Sequence, residues 1–152
     1  MTLTTGCDVT LALTPHERVA QSLARQGMMN HLGVRLLSAT AGQVELAMPY
    51  SDKVTQQQGG FHGGAMGALA DIAGGYAALT VAPEGMEVTT VEYKINFLAS
   101  FQGGEIHAIG RVTKAGKRII VTTAELVHID GSGKRSDCAL MQQTLVPVTK
   151  TY

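Results

Sequence analysis

Hydrophobic and polar positions along the chain predict six strands and one long apolar segment between the second and third. Val34–Ala39 and Gln43–Met48 group β-favouring residues around the turn Thr40-Ala41-Gly42, which predicts a hairpin. After the apolar segment, four stretches rich in Val, Ile and Thr or in other apolar residues are separated by glycine-containing turns, which predicts an antiparallel meander. These stretches are Glu87–Leu98, Glu105–Lys114, Arg118–Ile129 and Arg135–Val148.

Two helices are predicted. Thr14-Pro15-His16-Glu17 has the pattern of a capping box with proline at the first helical position, which predicts a helix from Pro15 to Gln26. A polar loop from Pro49 to Phe61 leads into the apolar segment His62–Val81, which predicts a long helix that ends near Pro83. Because this helix is apolar nearly all round, it must be enclosed by a sheet and by a further surface. The chain is therefore predicted to be α+β, and we expect the further surface to be a second subunit.

Length and composition predict a single domain over residues 14–152, preceded by a flexible N-terminal arm over residues 1–13. The 152 residues are 45% hydrophobic, which is enough for one buried core. The arm has no Lys or Arg before Arg18, so it lacks the charged start of a secretory signal, and a cytoplasmic location is expected. Cys7 and Cys138 are too few for a disulfide framework or a zinc site, and both are expected to be unpaired thiols.

Charge and hydropathy exclude two classes of partner. Lys plus Arg and Asp plus Glu number twelve each, so no net positive field attracts a nucleic-acid backbone. The run Ala65–Ala82 is long enough to cross a bilayer, but Asp71 near its middle would cost about 3 kcal/mol there, and alanines and glycines offset little of that cost. We therefore expect a buried core helix, with neither nucleic-acid nor membrane binding.

Asp71 is the one charged residue in the long helix, and no Lys or Arg lies within a turn of it. Burying an unpaired carboxylate costs several kcal/mol unless hydrogen bonds or a raised pKa relieve it, which favours a functional role. The residues one turn away are small, so they predict a trough where another chain or a ligand can approach: Gly67, Ala68, Gly74 and Gly75. The alternative is that the glycines admit a strand while Asp71 caps a backbone group across the interface.

Gly63-Gly64 begins the same helix and offers backbone N–H groups at the positive end of the helix dipole. Such donors suit a carbonyl oxygen that gains negative charge during acyl transfer, where one donor contributes roughly 3 kcal/mol. The surrounding glycines match neither a phosphate-binding loop nor a dinucleotide-binding turn. Taken alone, the glycine pair Gly63-Gly64 is weak evidence for an oxyanion-binding site.

Three segments together resemble the PaaI-type (phenylacetate-degradation) branch of the hotdog thioesterases. They are Gln56–Gly64 (QQQGGFHGG), followed by Asp71 nine residues after His62, then Val91–Leu98 (VEYKINFL), and finally Ala139–Thr144 (ALMQQT). The likeness covers about residues 32–146. It implies a hotdog fold, in which a six-stranded antiparallel sheet wraps around the long helix, here with an added N-terminal helix. It also implies dimers with one continuous sheet, and usually a homotetramer made of two such dimers.

The resemblance implies an acyl-CoA thioesterase acting on aryl- or medium-chain substrates, and it assigns roles to four residues. Asp71 corresponds to the family's acid, as nucleophile or as general base for water, and the backbone N–H of Gly63 corresponds to the oxyanion donor. Gln56 corresponds to a polar residue that is Asn in many relatives, and its amide could polarise the carbonyl or hold water. A water-positioning hydroxyl corresponds to Thr90, with Thr89 one register away. In the family the site is shared across the dimer, with Gln56 and Gly63 facing the partner's acid.

Other residues are expected to contact substrate. These are Phe61, His62 and Gly64 next to the helix start, with Lys114, Lys117 and Arg118 around the turn Ala115-Gly116, where relatives often contact the CoA nucleotide. The turn is equally explained as an ordinary solvated hairpin, and His62 is more simply explained as a hydrogen-bonding brace for its loop than as a base. Candidates for the acyl pocket, each also explained as plain core, are Phe61, Met66, Tyr76 and Phe97.

No metal and no cofactor other than the CoA of the substrate are expected, because thiols ionise near pH ~8.5 and leave without a strong acid. His107 and His128 lack ligand-like spacing and are expected to be structural. Two alternatives use the same fold. One is an acyl-thioester dehydratase or hydratase, for which the expected Pro-rich His loop is missing. The other is a non-catalytic acyl-CoA-binding protein, which is expected to carry a DNA-binding helical segment or to lack the acid, and neither applies. A third alternative, a purely structural dimeric subunit, leaves Asp71 unexplained.

Overall fold

The computed structural model describes residues 12–152, so Cys7 and the predicted N-terminal arm, except Ala12 and Leu13, lie outside the described residues. The helices are α1 (Pro15–Leu23), α2 (Gly27–His31) and α3 (Gly63–Leu79), with a 3₁₀ turn at Asp52–Val54. The strands are β1 (Arg35–Thr40), β2 (Gln43–Pro49), β3 (Met86–Phe97), β4 (Glu105–Ala115), β5 (Ile120–Ile129) and β6 (Arg135–Thr149). The predicted α+β class and all six predicted strands are confirmed, with shifts of one or two residues at their ends.

The six strands form one antiparallel sheet in the order β1-β2-β4-β5-β6-β3. Strands β4, β5 and β6 follow one another as predicted, but the predicted meander is wrong at β3. This strand pairs with β6 at the far edge of the sheet and not with β4. The reason is that α3 packs across the sheet, where it contacts β2, β3, β4, β5 and β6. The chain therefore leaves β2 near one edge and returns to the sheet at the other.

Helix α3 forms the centre of the core. Its buried residues, among them Leu69, Ala70 and Ala73, pack with the inward-facing residues of the sheet, such as Leu46, Ile106 and Leu126. The predicted arrangement of a sheet around one long apolar helix is therefore confirmed. Within residues 12–152, no helix combines the length and the apolar character that a membrane span requires. The cytoplasmic location stays a prediction.

The N-terminal helix is shorter than predicted. Thr14 and Glu17 form the predicted capping box, with Thr14 Oγ1 accepting from Glu17 N–H at 3.2 Å. The helix ends at Leu23 and not at Gln26, because the chain turns into the separate helix α2, whose Asn30 Nδ2 donates to the carbonyl of Ala24 at 3.1 Å. That bond satisfies a carbonyl that has no partner inside α1. Gln26 becomes an extended residue between the two helices.

Candidate active site

Asp71 lies half-buried in the middle of α3, where its side chain meets β3 and β6. Thr90 Oγ1 on β3 donates to Asp71 Oδ1 at 2.7 Å, and Gln143 Nε2 on β6 donates to the same oxygen. Gln143 Nε2 also lies 3.2 Å from the backbone carbonyl oxygen of Asp71. Within residues 12–152 no cation forms an ion pair with this carboxylate. Neutral donors therefore relieve the cost of burying its charge.

Gln143 is fully buried and its amide is fixed at both ends. The buried Thr122 on β5 donates from Oγ1 to Gln143 Oε1 at 3.0 Å, so the amide nitrogen must face Asp71 and Thr90. The distance from Gln143 Nε2 to Thr90 Oγ1 is 2.8 Å. Sequence reasoning found Thr90 through the family resemblance, but it missed Gln143 and Thr122.

Two signals in the sequence could have indicated this network: Gly74, and the alternation of Gln143 with the apolar Met141 and Leu145 in the last strand. A Cβ atom at position 74 would overlap Gln143 Oε1 and lie 2.7 Å from Thr122 Oγ1. At Gly74 the predicted open trough beside Asp71 is therefore filled by side chains of the sheet. This agrees with one half of the alternative stated in the sequence analysis, in which the glycines admit a strand. Within residues 12–152, Asp71 accepts from side chains and caps no backbone group, and the other half of the alternative, a backbone group across the subunit interface, stays a prediction.

The second carboxylate oxygen, Asp71 Oδ2, has no hydrogen-bond partner within the described chain. It is not a buried unsatisfied polar atom, because it is accessible to solvent. It is exposed to the space beside α3, where a cavity of about 480 Å³ opens. Asp71 and Thr90 line one end of this cavity, and Thr89 lies beside them. One oxygen of the acid is thus held while the other is open to attack or to activate water.

The start of α3 presents one unused backbone donor. His62 is the N-cap residue, and its Nδ1 accepts from Gly64 N–H at 2.8 Å. This is the predicted bracing hydrogen bond, and it occupies the N–H of Gly64. No acceptor for Gly63 N–H lies within residues 12–152. Gly63 therefore offers the donor that an oxyanion needs, with the ring of Phe97 next to it.

The carboxylate and this donor are too far apart to act together within one chain. Gly63 and Asp71 are separated by eight residues of α3, which corresponds to about 12 Å along the helix axis. A single thioester carbonyl cannot contact both groups of the same subunit. Each subunit therefore contains two separate parts of the expected site.

Gln56 lies half-buried in the loop before α3, and its Oε1 accepts from Gln58 N–H. Its amide Nε2 has no acceptor in the described part of the chain. Phe61 is buried in the core, where its ring packs edge-on against Tyr50 at a centroid distance of 5.3 Å. Phe61 thus does not line the Asp71 cavity, because the loop turns it inward.

The remaining candidates are the residues expected to form the acyl pocket and the basic residues expected to contact CoA. Tyr76 lines the cavity, and Met66 is a core residue. The basic side chains of the β4–β5 turn are exposed, form no ion pair within residues 12–152 and do not line the Asp71 cavity: Lys114, Lys117 and Arg118. Contact of these three with CoA stays a prediction.

Comparison with known proteins supports a thioesterase assignment. The family model of the Thioesterase superfamily matches residues 58–133. A Saccharolobus solfataricus protein, provisionally named an esterase, is 36% identical over 100 residues, which cover 66% of this chain and 71% of the relative. The crystal structure of a thioesterase family protein from Silicibacter pomeroyi is 36% identical and has a TM-score of 0.85, with 90% of this chain and 99% of that chain covered.

The Escherichia coli PaaI protein from the phenylacetic acid degradation operon has a TM-score of 0.79 at 22% identity, with 90% of this chain and 95% of that chain covered. At this identity the likeness concerns the fold alone. Together with the family match, these structures confirm the predicted hotdog fold. Assignment to the PaaI-type branch stays a prediction.

Proposed function

The chain belongs to the thioesterase superfamily and is a thioester hydrolase, and from this premise we propose that it hydrolyses aryl- or medium-chain acyl-CoA to the free acid and CoA. The proposal includes membership of the PaaI-type branch. The observation that carries it is Asp71, whose Oδ1 is held by Thr90 and Gln143 while Oδ2 is open to a cavity. No comparable observation favours a dehydratase or a non-catalytic binding protein.

In the proposed reaction, Asp71 Oδ2 attacks the thioester carbonyl carbon or removes a proton from an attacking water. The carbonyl oxygen becomes negative and accepts a hydrogen bond from Gly63 N–H, whose direction is set by the start of the helix. The C–S bond then breaks, and the CoA thiolate leaves without a strong acid because thiols ionise near pH ~8.5. In the nucleophilic route, water afterwards cleaves the acyl–Asp71 anhydride.

Thr90 and Gln143 act as positioning residues in this scheme. Both donate to Asp71 Oδ1, so rotation of the carboxylate about its last bond would break two hydrogen bonds. Neutral donors orient the acid but leave its negative charge in place, whereas an arginine partner would compete with the substrate for it. The free oxygen therefore faces the cavity with its charge available.

The complete site is proposed to form across a homodimer, in which Asp71 of one subunit faces Gly63 and Gln56 of the other. The separation of about 12 Å along α3 prevents one subunit from supplying both groups. Strand β3 is an edge of the sheet, and large apolar side chains are exposed on it at Val91 and Phe97 and just after it at Leu98, which is typical of a surface that another chain covers. Two such dimers are proposed to form a homotetramer.

The direct test is hydrolysis of a panel of acyl-CoA thioesters, followed through release of the free thiol with a chromogenic disulfide. Asp71→Asn keeps the size of the side chain but removes its charge, and we expect kcat to fall by on the order of 10³-fold or more. Asp137→Asn, which changes an exposed acid on β6, is the matched control. Full turnover by a folded Asp71→Asn protein would contradict the mechanism.

A mixing experiment tests the shared site. Asp71→Asn and Gly63→Pro each damage a different half, so a mixed dimer contains one site with both changes and one site with neither. Unfolding and refolding the two inactive proteins together should restore about a quarter of wild-type activity, because half of the dimers are mixed and each has one intact site. If both halves came from one subunit, every site would carry a defect and no activity would return.

A further inference from the structure

His128 on β5 is a buried polar side chain that the proposed mechanism does not use. Thr122, Gln143 and His128 are all buried polar side chains of the sheet, and the first two belong to the network around Asp71. His128 is 5% exposed and lies outside that network. Because a buried imidazole requires hydrogen-bond partners, its contacts indicate which part of the chain it holds in place.

His128 contacts the connection between β3 and β4, which we call the β3–β4 loop (residues 98–104). Its Nε2 lies 2.9 Å from the carbonyl oxygen of Gly103. Since a carbonyl oxygen only accepts, Nε2 carries the proton of this hydrogen bond. The ring of Phe101 stacks on the imidazole, with ring centroids 4.4 Å apart and an angle of 10° between the ring planes. One buried side chain thus contacts the loop at two residues.

The β3–β4 loop ends in a turn that requires glycine. Gly103 and Gly104 have φ angles of 67° and 63°, which glycine adopts without steric cost. Glycine also has the most alternative conformations, so the turn depends on contacts from outside it. The carbonyl of Gly103 accepts from His128, and the carbonyl of Gly104 accepts from the N–H of Tyr50 at 3.0 Å. Within the described chain, His128 is thus the side-chain donor to this turn.

The β3–β4 loop lies against the segment that leads into α3, which we call the helix-entry loop (residues 56–62). Phe61 N–H donates to the carbonyl oxygen of Phe101 at 3.0 Å. A Cβ atom at Gly60 would lie 3.3 Å from the same oxygen and 2.6 Å from Ser100 Oγ. The two loops are therefore packed with no room for a side chain between them at this point.

The helix-entry loop carries both groups that the proposed site needs near the start of α3. Gln56 N–H donates to the carbonyl of Gly60 at 2.9 Å, next to the contact with the β3–β4 loop. Phe61 lies two residues before Gly63, whose N–H has no acceptor within the described chain. A displacement of Phe61 therefore moves the amide of Gln56 and the donor of Gly63 together.

We propose that His128 is a positioning residue, which acts through the two loops to place the N–H of Gly63 and the amide of Gln56. The inference rests on the proposed function, because it requires these two groups to contact the thioester. In a shared site they serve Asp71 of the other subunit, so His128 supports the half of the site that a subunit supplies to its partner. An oxyanion donor acts only within hydrogen-bond distance, so small displacements of the loop reduce turnover.

The alternative role of His128 is to fill space beneath the β3–β4 loop. His128→Phe keeps a ring that can stack on Phe101, but it cannot donate to Gly103. Loss of this one hydrogen bond should lower kcat by about tenfold and leave KM within about threefold. His128→Gln keeps a donor at a similar distance from the backbone, so kcat should return to within about threefold of wild type. A space-filling role predicts the reverse order, because phenylalanine fills the volume better.

His107→Gln is the matched control. The side chain of His107 is 14% exposed, and it bonds to Glu45 and Glu105 and to neither loop, so kcat should stay within about twofold of wild type. Circular dichroism and urea denaturation check that each variant folds. If His128→Phe does not fold, Phe101→Leu removes the stacked ring from the half-buried loop side, and the same loss of kcat is expected.

The shared site allows a test that a general structural defect cannot imitate. His128→Phe is unfolded and refolded together with Asp71→Asn and, in parallel, with Gly63→Pro. With Asp71→Asn, half of the dimers are mixed and each has one intact site, so about a quarter of wild-type activity should return. With Gly63→Pro, both changes lie in the same half of the site, and only about a twentieth should remain, the residual activity of sites that contain His128→Phe.

Three results overturn the inference. One is a folded His128→Phe protein whose kcat lies within twofold of wild type, and another is a His128→Gln protein less active than His128→Phe. The third is about a twentieth of wild-type activity with both refolding partners, because His128→Phe then damages the Asp71 half as well. Failure of the proposed function is seen separately: the wild-type protein hydrolyses no acyl-CoA, or Asp71→Asn and Gly63→Pro do not restore activity to each other.

Discussion

Helix α3 contains two glycine pairs that serve opposite purposes. Gly63-Gly64 begins the helix, where the N–H of Gly63 has no acceptor within the described chain and faces outward beside Phe97. Gly74-Gly75 lies in the interior, where the space above Gly74 is filled by Gln143. The first pair keeps a backbone donor accessible, and the second admits a side chain that orients Asp71. The glycines of α3 thus support the proposed site in two ways, through an accessible backbone donor and through close packing.

Among the substitutions that test this comparison, the largest expected effect concerns the first pair. Gly63→Pro deletes one N–H at the first position of the helix, where proline is otherwise well tolerated, and the extended backbone of His62 suits a following proline. Loss of the oxyanion donor should lower kcat by about 10²- to 10³-fold with little change in circular dichroism. Gly63→Ala is the control, because it keeps the N–H and places the same Cβ against Phe97. Equal activity of the two variants would exclude an oxyanion role for Gly63.

Gly74→Ala tests the second pair. The added Cβ would overlap Gln143 Oε1 and crowd Thr122 Oγ1, both fully buried, so Gln143 must move away from Asp71. We expect kcat to fall by about tenfold to 100-fold and the free energy of unfolding to fall by about 1–3 kcal/mol, the usual cost of overpacking. Enzyme assay and urea denaturation measure these two effects separately. Unchanged kcat in this variant would show that Asp71 does not need Gln143.

Gln143→Met removes the amide directly while retaining the length of the side chain. Asp71 then keeps Thr90 as its only described donor, and its carboxylate can rotate. Loss of one hydrogen bond to a charged group should lower kcat by about tenfold and leave KM within about twofold. Gln142→Met, on the neighbouring exposed position of β6, is the matched control. A change confined to KM would contradict a positioning role.

The smallest expected effect sharpens the difference within the second pair. At Gly75 the nearest atom to an added Cβ is Leu145 Cδ2 at 3.9 Å, an ordinary contact. Gly75→Ala should therefore raise the free energy of unfolding by about 1 kcal/mol, the difference in helix propensity between the two residues. Thermal or urea denaturation measures this gain. Destabilisation as large as that of Gly74→Ala would show that crowding is not specific to the Gln143 side.

Local features of this fold could be predicted from the sequence. The capping box at Thr14, the long apolar helix and the isolated Asp71 are all encoded within a few turns of chain, and the structure contains them. The break after Leu23 could not be predicted, because it depends on Asn30 bonding to a carbonyl six residues earlier. No proline or helix-ending motif marks it in the sequence.

Features that depend on distant pairing could not be predicted. The position of β3 beside β6 follows from the path of α3 over the sheet, which hydrophobic periodicity does not specify. Gln143 alternates with Met141 and Leu145, which places it on the inward face of β6, but the alternation does not show which side chain of α3 it meets. The sequence shows that position 74 has no side chain, but it does not show that the side chain of Gln143 fills the space beside it.

The placement of β3 next to β6 also has a consequence for how the protein folds. This pairing joins residues as distant as Met86 and Thr149, so it closes only after the intervening hairpins have formed. During synthesis, Asp71 and Thr90 leave the ribosome well before Gln143, and the acid stays unsupported until β6 docks. Catalytic competence should thus appear late in refolding, after most helical signal has returned.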